Sequence, residues 1–339
     1  MPLTASSELS AHPLLDVRGL SVSLRTRAGE VQITRDISFS IQPGERIGLV
    51  GESGCGKTVT GLSLMRLLPP ASLRIAGQAL LQGRDLLALP ERRMRAVRGS
   101  EIAMIFQEPM SALDPVFTVG EQISEAWRTH FPRQREQGRE RAMQALADVG
   151  IALPRQRYHD YPHQLSGGMR QRVMIAMALI CEPSLLIADE PTTALDVTVQ
   201  AQILRLLREL SERAGMALLF ITHDLGVVAE TCTRMLTMYG GEVVEDSPVD
   251  EALLRPRHPY TSGLLRSLPR LARPREPLGF IAGRVPAPSA MPAGCRFQPR
   301  CAQAATGCEQ AQALIEMPAT QRRVRCCRTD ELSLPGVLQ

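Results

Sequence analysis

The chain has 339 residues, which is enough for one large domain with an appendage or for two domains. Its net charge of +4 is mild and its arginines are spread along the chain, so the charge does not indicate a nucleic-acid partner. No stretch approaches about 18 uninterrupted apolar residues, and residues 1–13 lack a basic region followed by an apolar one. We therefore expect no membrane-spanning segment, no secretory signal and a cytoplasmic location. The small polar residues 1–12 predict a disordered tail.

Alternating and continuous apolar runs, separated by turn residues, predict strands and helices of an α/β protein. The predicted strands are 15–24, 31–41, Arg46–Val50, Leu73–Leu81, 101–106, 185–190 and 216–221, followed by a hairpin of 236–239 and 242–245 around a Gly-Gly turn. The predicted helices are 59–68, 172–180 and 197–213, with a mostly helical insertion at 119–153. We expect the charge run 133–141 in this insertion to be solvated.

A glycine-rich loop predicts a phosphate site. Residues 51–58 read G-E-S-G-C-G-K-T and fit G-x-x-x-x-G-K-[ST] between a predicted strand and a predicted helix. Lys57 is the only lysine of the chain, and a flexible ammonium suits this position where a planar guanidinium does not. We expect Lys57 to reach the β- and γ-phosphates and Thr58 to bind Mg2+. The other predicted nucleotide-binding residues are Gly51, Ser53, Gly54, Cys55, Gly56 and Val59.

Polar side chains also follow the other predicted buried strands. Gln107 follows one strand, and its amide could bind the metal or position water. Asp189 and Glu190 end a run so apolar that it indicates a parallel strand buried on both faces, and ligands bind at the carboxyl ends of such strands. We expect Asp189 to hold Mg2+ and Glu190 to polarise the attacking water. His223 follows a third strand and could contact the γ-phosphate.

A second predicted anion site precedes the helix at 172–180. Residues 165–169 are Leu165, Ser166, Gly167, Gly168 and Met169, so a hydroxyl and unhindered N–H groups lie near the positive end of a helix. Two anion sites in one chain are explained by a dimer that shares the nucleotide. The structural alternative is a simple helix cap with a flexible turn.

Cysteines and prolines mark the last part of the chain. Proline recurs after Pro256, which indicates a boundary to a small module, and five of the eight cysteines fall within the last 45 residues. Clustered cysteines in a reducing compartment favour a metal over disulfides. The intervals x5, x6 and x17 differ from those of zinc ribbons, so an iron–sulfur cluster, zinc and plain reduced thiols stay open at this point. The spaced residues are Cys295, Cys301, Cys308 and Cys326.

In this order and spacing, the motifs resemble those of ATP-binding subunits of ABC transporters, over residues 14–250. The segment 165–169 resembles the family signature, 187–190 the Walker B segment and 194–196 the D-loop with Asp196; Gln107 and His223 resemble the Q-loop and switch residues. A closer resemblance is to dipeptide and oligopeptide importers. It rests on F-Q-E-P-M-S-A-L-D-P at 106–115, M-R-Q-R-V-M-I-A at 169–176 and R-H-P-Y-T at 257–261, before a cysteine-containing tail.

The resemblance implies an ABC-type nucleotide-binding domain over 13–255, with a P-loop parallel-sheet core, an antiparallel β subdomain and a helical subdomain at about 112–168. Residues 256–339 would form a small Pro- and Cys-rich module, for which similar tails imply a [4Fe–4S] cluster, with Zn2+ as the alternative. The implied activity is ATP hydrolysis with Mg2+, in a head-to-tail dimer with a second, similar ATPase.

The implied partners are two transmembrane permeases and, indirectly, an extracytoplasmic peptide-binding protein, at the cytoplasmic face of the inner membrane and without nucleic acid. The alternative function is a soluble ABC-type ATPase acting on nucleic acid or the ribosome, although a single compact unit argues against it.

Overall fold

The computed structural model describes residues 12–27, 29–107, 112–193, 195–268, 279–318 and 320–337. Most of the predicted tail at 1–12 therefore lies outside the described residues, as do residues 108–111 and 194 of the predicted motifs. Within the described ranges, no helix is both long and apolar enough to cross a bilayer.

Two sheets organise the chain. The described strands are β1 (Leu15–Thr26), β2 (Gly29–Ile41), β3 (Arg46–Val50), β4 (Leu73–Leu81), β5 (Arg84–Asp85), β6 (Ile102–Ile105), β7 (Leu185–Asp189), β8 (Ala217–Thr222), β9 (Arg234–Tyr239), β10 (Glu242–Pro248), β11 (Ile315–Glu316) and β12 (Arg323–Val324). The first sheet has the order β2-β1-β4-β5 and pairs its strands antiparallel. The second has the order β11-β12-β10-β9-β3-β8-β7-β6. The predicted antiparallel subdomain is thereby confirmed.

The second sheet has a parallel centre. Strands β9, β3, β8, β7 and β6 pair in parallel, and β9 turns back antiparallel into β10. Every residue of β6, β7 and β8 is buried, as expected for strands covered on both faces. The predicted parallel core is confirmed, and its carboxyl edge collects the loops that follow β3, β6, β7 and β8.

Helices cover this sheet and form the insertion. They are α1 (Lys57–Leu64), α2 (Glu91–Val97), α3 (Val119–His130), α4 (Gly138–Asp148), α5 (Pro154–Arg157), α6 (Gly167–Leu179), α7 (Val197–Ala214), α8 (Leu225–Thr231), α9 (Val249–Leu254) and α10 (Pro259–Arg266). The insertion consists mainly of α3 and α4, joined by a 3₁₀ segment, Pro132–Gln137, none of whose residues is buried. This agrees with the prediction of a mostly helical insertion with a solvated charge run.

Two predicted helices differ from the structure by several residues at one end. The first helix ends at Leu64 and not at residue 68, because Arg66 takes a left-handed conformation (φ 50°) two residues later. The helix predicted at 172–180 begins earlier, at Gly167, because the Ser166 side chain caps it. The two glycines after Ser166 therefore belong to the first turn of α6.

The C-terminal residues join the second sheet. Strand β12 pairs with β10, and β11 pairs with β12, so the tail extends the sheet that carries the phosphate loop. Buried aromatic rings of Tyr239, Tyr260 and Phe297 pack into a small core between β9, α10 and the cysteine segment. The proline-rich stretch predicted after Pro256 is only partly visible, since residues 269–278 lie outside the described ranges.

Candidate functional site

The phosphate loop lies between β3 and α1, as the sequence predicts. Gly56 takes a left-handed conformation (φ 100°), and a Cβ placed there would come 2.8 Å from the Thr34 methyl group, so the position requires glycine. Lys57 is buried, with 6% of its surface exposed, and its Nζ donates hydrogen bonds to the carbonyl oxygens of Gly51 (2.7 Å) and Glu52 (3.2 Å). The ammonium group is therefore held over the loop that it would serve.

Thr58 and Asp189 meet next to this loop. The Thr58 hydroxyl donates to Oδ1 of Asp189 over 3.2 Å, although 131 residues separate them in the sequence. Burial raises the pKa of the Asp189 carboxyl, and the hydrogen bond from Thr58 opposes that rise. Two hard oxygen atoms at this distance match the donors that Mg2+ prefers, so these residues fit the predicted metal site.

Glu190 is the centre of a hydrogen-bonded cluster. Its Oε1 lies 3.0 Å from Nδ1 of His223, and its Oε2 accepts from Nε2 of Gln107 (3.2 Å) and from the Thr193 hydroxyl (2.9 Å). Burial opposes ionisation of Glu190, but the hydrogen bonds from His223 and Thr193, with the charges of His223 and Lys57, outweigh it and lower the pKa. An ionised carboxylate, able to accept a proton, is the state that this arrangement favours.

The structure thus brings together six predicted residues, at or beside the loops that follow four strands, at one sheet edge. They are Lys57, Thr58, Gln107, Asp189, Glu190 and His223. The loops follow β3, β6, β7 and β8, and strands whose carboxyl ends share an edge place their following residues side by side.

The signature segment occupies a different place. Leu165 is buried, and the Ser166 hydroxyl accepts the backbone N–H of Met169 at 3.3 Å, which caps α6. A Cβ on Gly168 would lie 2.9 Å from the side chain of Val199, beside the start of α7, where Asp196 caps that helix. Among the described residues, no hydrogen bond joins Ser166 or its two glycines to residues 51–58.

Two polar contacts near the cluster were missed by sequence reasoning. The Gln171 side chain donates to the carbonyl oxygen of Pro191 (2.5 Å) and so ties α6 to the loop that carries Glu190. Thr193 is the second, and the only sequence signal for it is a hydroxyl residue three positions after a predicted catalytic carboxylate.

The predicted metal site of the cysteine tail is not confirmed. In the described parts of the chain, no group of three or more His, Cys, Asp or Glu side chains is arranged to hold a metal ion. Cys295 and Cys308 are nevertheless neighbours, because the N–H of Cys295 donates to the carbonyl oxygen of Cys308 (2.9 Å). Burial raises the pKa of the Cys295 and Cys326 thiols to about 11, so both thiols are protonated at neutral pH when no metal is bound.

Comparison with known families gives two matches. Residues 34–193 match the ABC transporter model, and residues 244–308 match the C-terminal region of oligopeptide/dipeptide transporters. The first match contains the phosphate loop and Glu190, and the second contains Cys295, Cys301 and Cys308.

Relatives extend these matches to nearly the whole chain. A putative peptide import ATP-binding protein of Brucella melitensis biotype 1 is 49% identical over 337 residues, which cover 96% of this chain and 100% of the relative. A probable peptide ABC transporter ATP-binding protein of Sinorhizobium fredii is 49% identical over 331 residues, covering 96% and 98% of the two chains.

Solved structures show the same fold. A dimeric ATP-binding cassette in a post-hydrolysis state, bound to ADP and Pi, superposes with a TM-score of 0.61 at 26% identity and covers 69% of this chain and 98% of its own. The cbiO1 protein of Clostridium perfringens, part of an ABC transporter complex, gives a TM-score of 0.60 at 26% identity, covering 70% and 90%. The two family matches and these relatives, together with the residues at the sheet edge, show that the chain belongs to the ABC transporter family.

Proposed function

We propose that this chain is the ATP-hydrolysing subunit of an importer for dipeptides and oligopeptides, attached to the cytoplasmic face of the inner membrane. The observation that carries the proposal is the similarity to peptide import ATP-binding proteins over 96% of the chain, including the C-terminal region. The fit of the sheet-edge residues to ATP chemistry supports it independently.

The residues divide the chemistry of hydrolysis among them. Lys57 and the loop N–H groups would hold the β- and γ-phosphates, while Thr58, Asp189 and Gln107 would hold Mg2+, which when bound screens the phosphate charge. Glu190, ionised and held by His223, would orient and deprotonate the attacking water. His223 would contact the γ-phosphate, and the 63% exposure of its side chain supports this role.

The proposed working unit is a head-to-tail dimer with a second, similar ATPase, in which residues 165–169 close the nucleotide of the partner. Its support is the position of Ser166 at the start of α6 and the absence, among the described residues, of a hydrogen bond from it to this chain's own phosphate loop. Val197, next to Asp196, is 79% exposed, as suits a residue that faces a partner subunit.

The proposed contact with the two permeases lies at the loop after β6. Phe106, Val116 and Phe117 are 41%, 70% and 53% exposed, and Phe106 borders a groove of about 280 Å³ between the sheet and the helical insertion. This loop also carries Gln107, which touches Glu190, so movement of a permease would reach the catalytic cluster directly. A peptide-binding protein outside the membrane would supply the substrate.

The test is ATP-dependent uptake of a labelled dipeptide and a labelled oligopeptide by proteoliposomes that contain the permeases, the second ATPase and this chain. We expect uptake and hydrolysis to depend on the full assembly, and Glu190→Gln to lower turnover by about 10²-fold or more while Mg-ATP still binds. Glu209→Gln, a change in an exposed ion pair of α7, is the matched control.

Fast hydrolysis by the isolated chain, indifferent to the permeases, would instead favour the alternative of an ATPase acting on nucleic acid or the ribosome. The comparisons do not support that alternative, because the similar proteins carry transport names.

For the cysteine tail, a [4Fe–4S] cluster on Cys295, Cys301, Cys308 and Cys326 stays a proposal, with Zn2+ as its alternative. Its support is the donor set, since four thiolates are the usual ligands of such clusters. The measurement is iron, sulfide and zinc content of the full chain purified without oxygen, with Cys301→Ser beside Cys327→Ser. About four iron and four sulfide per chain, lost in Cys301→Ser and retained in Cys327→Ser, would support the cluster. Zinc would support the alternative. If neither metal is found, the cysteines are reduced thiols.

A further inference from the structure

Two arginines between Cys295 and Cys301 link the C-terminal segment to the phosphate loop and to a turn beside it. They are Arg300 and Arg296. Arg300 lies 248 residues after Glu52, yet its guanidinium forms a two-pronged ion pair with the Glu52 carboxylate, at 2.6 and 3.0 Å. Only 5% of the Arg300 side chain is exposed, against 31% for Glu52. A bidentate pair that is largely shielded from water has a defined geometry and is stronger than an ordinary surface pair.

Glu52 is itself part of the phosphate loop, and each of its polar groups is engaged. Its N–H donates to the Tyr260 hydroxyl at 2.8 Å, and its carbonyl oxygen accepts from Nζ of Lys57 at 3.2 Å. With the carboxylate bound to Arg300, this residue joins the C-terminal segment on one side to the phosphate-binding lysine on the other. A shift of Glu52 would therefore move the Lys57 ammonium.

Arg300 is held by contacts of its own. It donates to the carbonyl oxygens of Ala282 (3.0 Å) and Ile281 (3.3 Å), and its guanidinium lies 5.7 Å from the centre of the Tyr239 ring. Tyr239 packs edge-on against Tyr260, with ring centres 4.7 Å apart. The arginine is thus fixed by a packed environment before it reaches Glu52.

A second set of contacts also links the C-terminal segment to the phosphate loop. Arg296 donates to the carbonyl oxygen of Gly240, and the N–H of Gly241, in the same turn, donates to the carbonyl oxygen of Cys55 (2.9 Å). A Cβ on Gly241 would lie 2.0 Å from the carbonyl oxygen of Ile33, so this turn has no room to move toward β2. The C-terminal segment therefore braces the phosphate loop at both Glu52 and Cys55.

We propose that Arg300 is a positioning residue for ATP binding: through Glu52 it sets the conformation of the phosphate loop and the direction of the Lys57 ammonium. On this view, the C-terminal module completes the nucleotide site of its own chain. The proposal rests on ATP binding by this family and not on the import of peptides.

The test is the Kd of the full chain for Mg-ATP, and for Mg-ADP, in Arg300→Gln, Glu52→Gln and the double variant. We expect each single change to raise the Kd about fivefold or more, and the double variant to be no weaker than the poorer single variant, because the two side chains act through one contact. In the transporter assay the same variants should raise KM for ATP with little change in kcat. Arg328→Gln is the matched control, since Arg328 pairs with Glu331 and donates to the carbonyl oxygen of Gln303, and neither partner belongs to the phosphate loop.

Three outcomes would overturn the proposal. The first is a lower melting temperature of Arg300→Gln with an unchanged Kd, which would make the contact merely structural. The second is a double variant whose losses multiply, which would mean that the two residues act independently. The third is an equal rise of Kd in the Arg328→Gln control. If Arg300→Gln does not fold, Glu52→Gln alone decides, and an unchanged Kd in that variant contradicts the proposal. Because nucleotide binding needs no membrane or peptide, a failure of peptide import would not contradict the proposed role of Arg300.

Discussion

Glu190 illustrates how much of this site depends on the conformation of one residue. It follows β7 with a positive φ of 44°, a left-handed conformation that costs a non-glycine residue roughly 1–3 kcal/mol. Its N–H donates to the carbonyl oxygen of Ile221 on the neighbouring strand (2.8 Å), which holds it there. The turn aims the carboxylate at His223 and Gln107 and away from the buried sheet. The strained conformation therefore has a functional explanation, because it positions the proposed base beside the phosphate loop.

A second single residue, His258, should make the stability of the protein sensitive to pH. The ring is fully buried, its Nδ1 accepts the N–H of Tyr260 (3.1 Å), and burial, with the charge of Arg325, lowers its pKa to about 3. In the unfolded chain the pKa returns to about 6.5. Above that value the ring is neutral in both states; below it the unfolded state binds a proton that the folded state does not, so stability falls as the pH falls toward 3.

We expect the unfolding free energy to drop by roughly 1 kcal/mol between about pH 7.5 and about pH 5.5 through this residue. Urea unfolding at the two pH values measures it. His258→Asn keeps an acceptor for the Tyr260 N–H and should lose this part of the pH dependence, whereas His163→Asn, at an exposed ring, should retain it. An unchanged pH dependence in His258→Asn would show that His258 is not the cause.

At the scale of elements, the helical insertion depends on how α3 begins. The Thr118 hydroxyl accepts the N–H of Glu121 (3.3 Å), and the Glu121 carboxylate accepts the N–H of Thr118 (3.1 Å). This reciprocal pair satisfies two backbone donors that a helix start otherwise leaves to water. It also fixes where α3 starts after the loop that carries Val116 and Phe117.

We expect Thr118→Ala to lower the unfolding free energy by about 1 kcal/mol and Thr118→Ser to retain most of it, because serine keeps the acceptor oxygen. Denaturant unfolding gives the difference, and amide exchange in α3 should localise it. Equal losses in the alanine and serine variants would mean that the Thr118 methyl group, and not the cap, stabilises the helix.

At the scale of the whole molecule, the C-terminal module and the ATPase core are built into one sheet. Strand β12 pairs with β10, and Arg323 donates to the Asp246 carboxylate, which also pairs with Arg234 at 2.5 Å. Arg322 pairs with the buried Glu245 at 2.8 Å. Contacts therefore continue across the boundary that composition predicts at residue 256.

The sequence by itself predicted the type of site and determined most of the elements. The spacing of residues 51–58 defines the phosphate loop, because a strand, a glycine turn and a helix start are local features. The polar residues Gln107, Asp189 and His223 were recognisable because each ends or follows a short apolar run that indicates a buried strand. Because those strands are parallel and adjacent, we expect these polar residues to lie close together, and the structure confirms this.

Only the tertiary structure decided which distant groups touch. Arg300 and Glu52 are 248 residues apart, and nothing in the spacing of either predicts the other. The left-handed turn at Glu190 was not predicted either, because a hydrogen bond to Ile221 on the neighbouring strand holds it. Periodicity reports which face of an element is buried, whereas a contact between loops depends on how the sheets and helices are stacked, and that is a property of the folded chain alone.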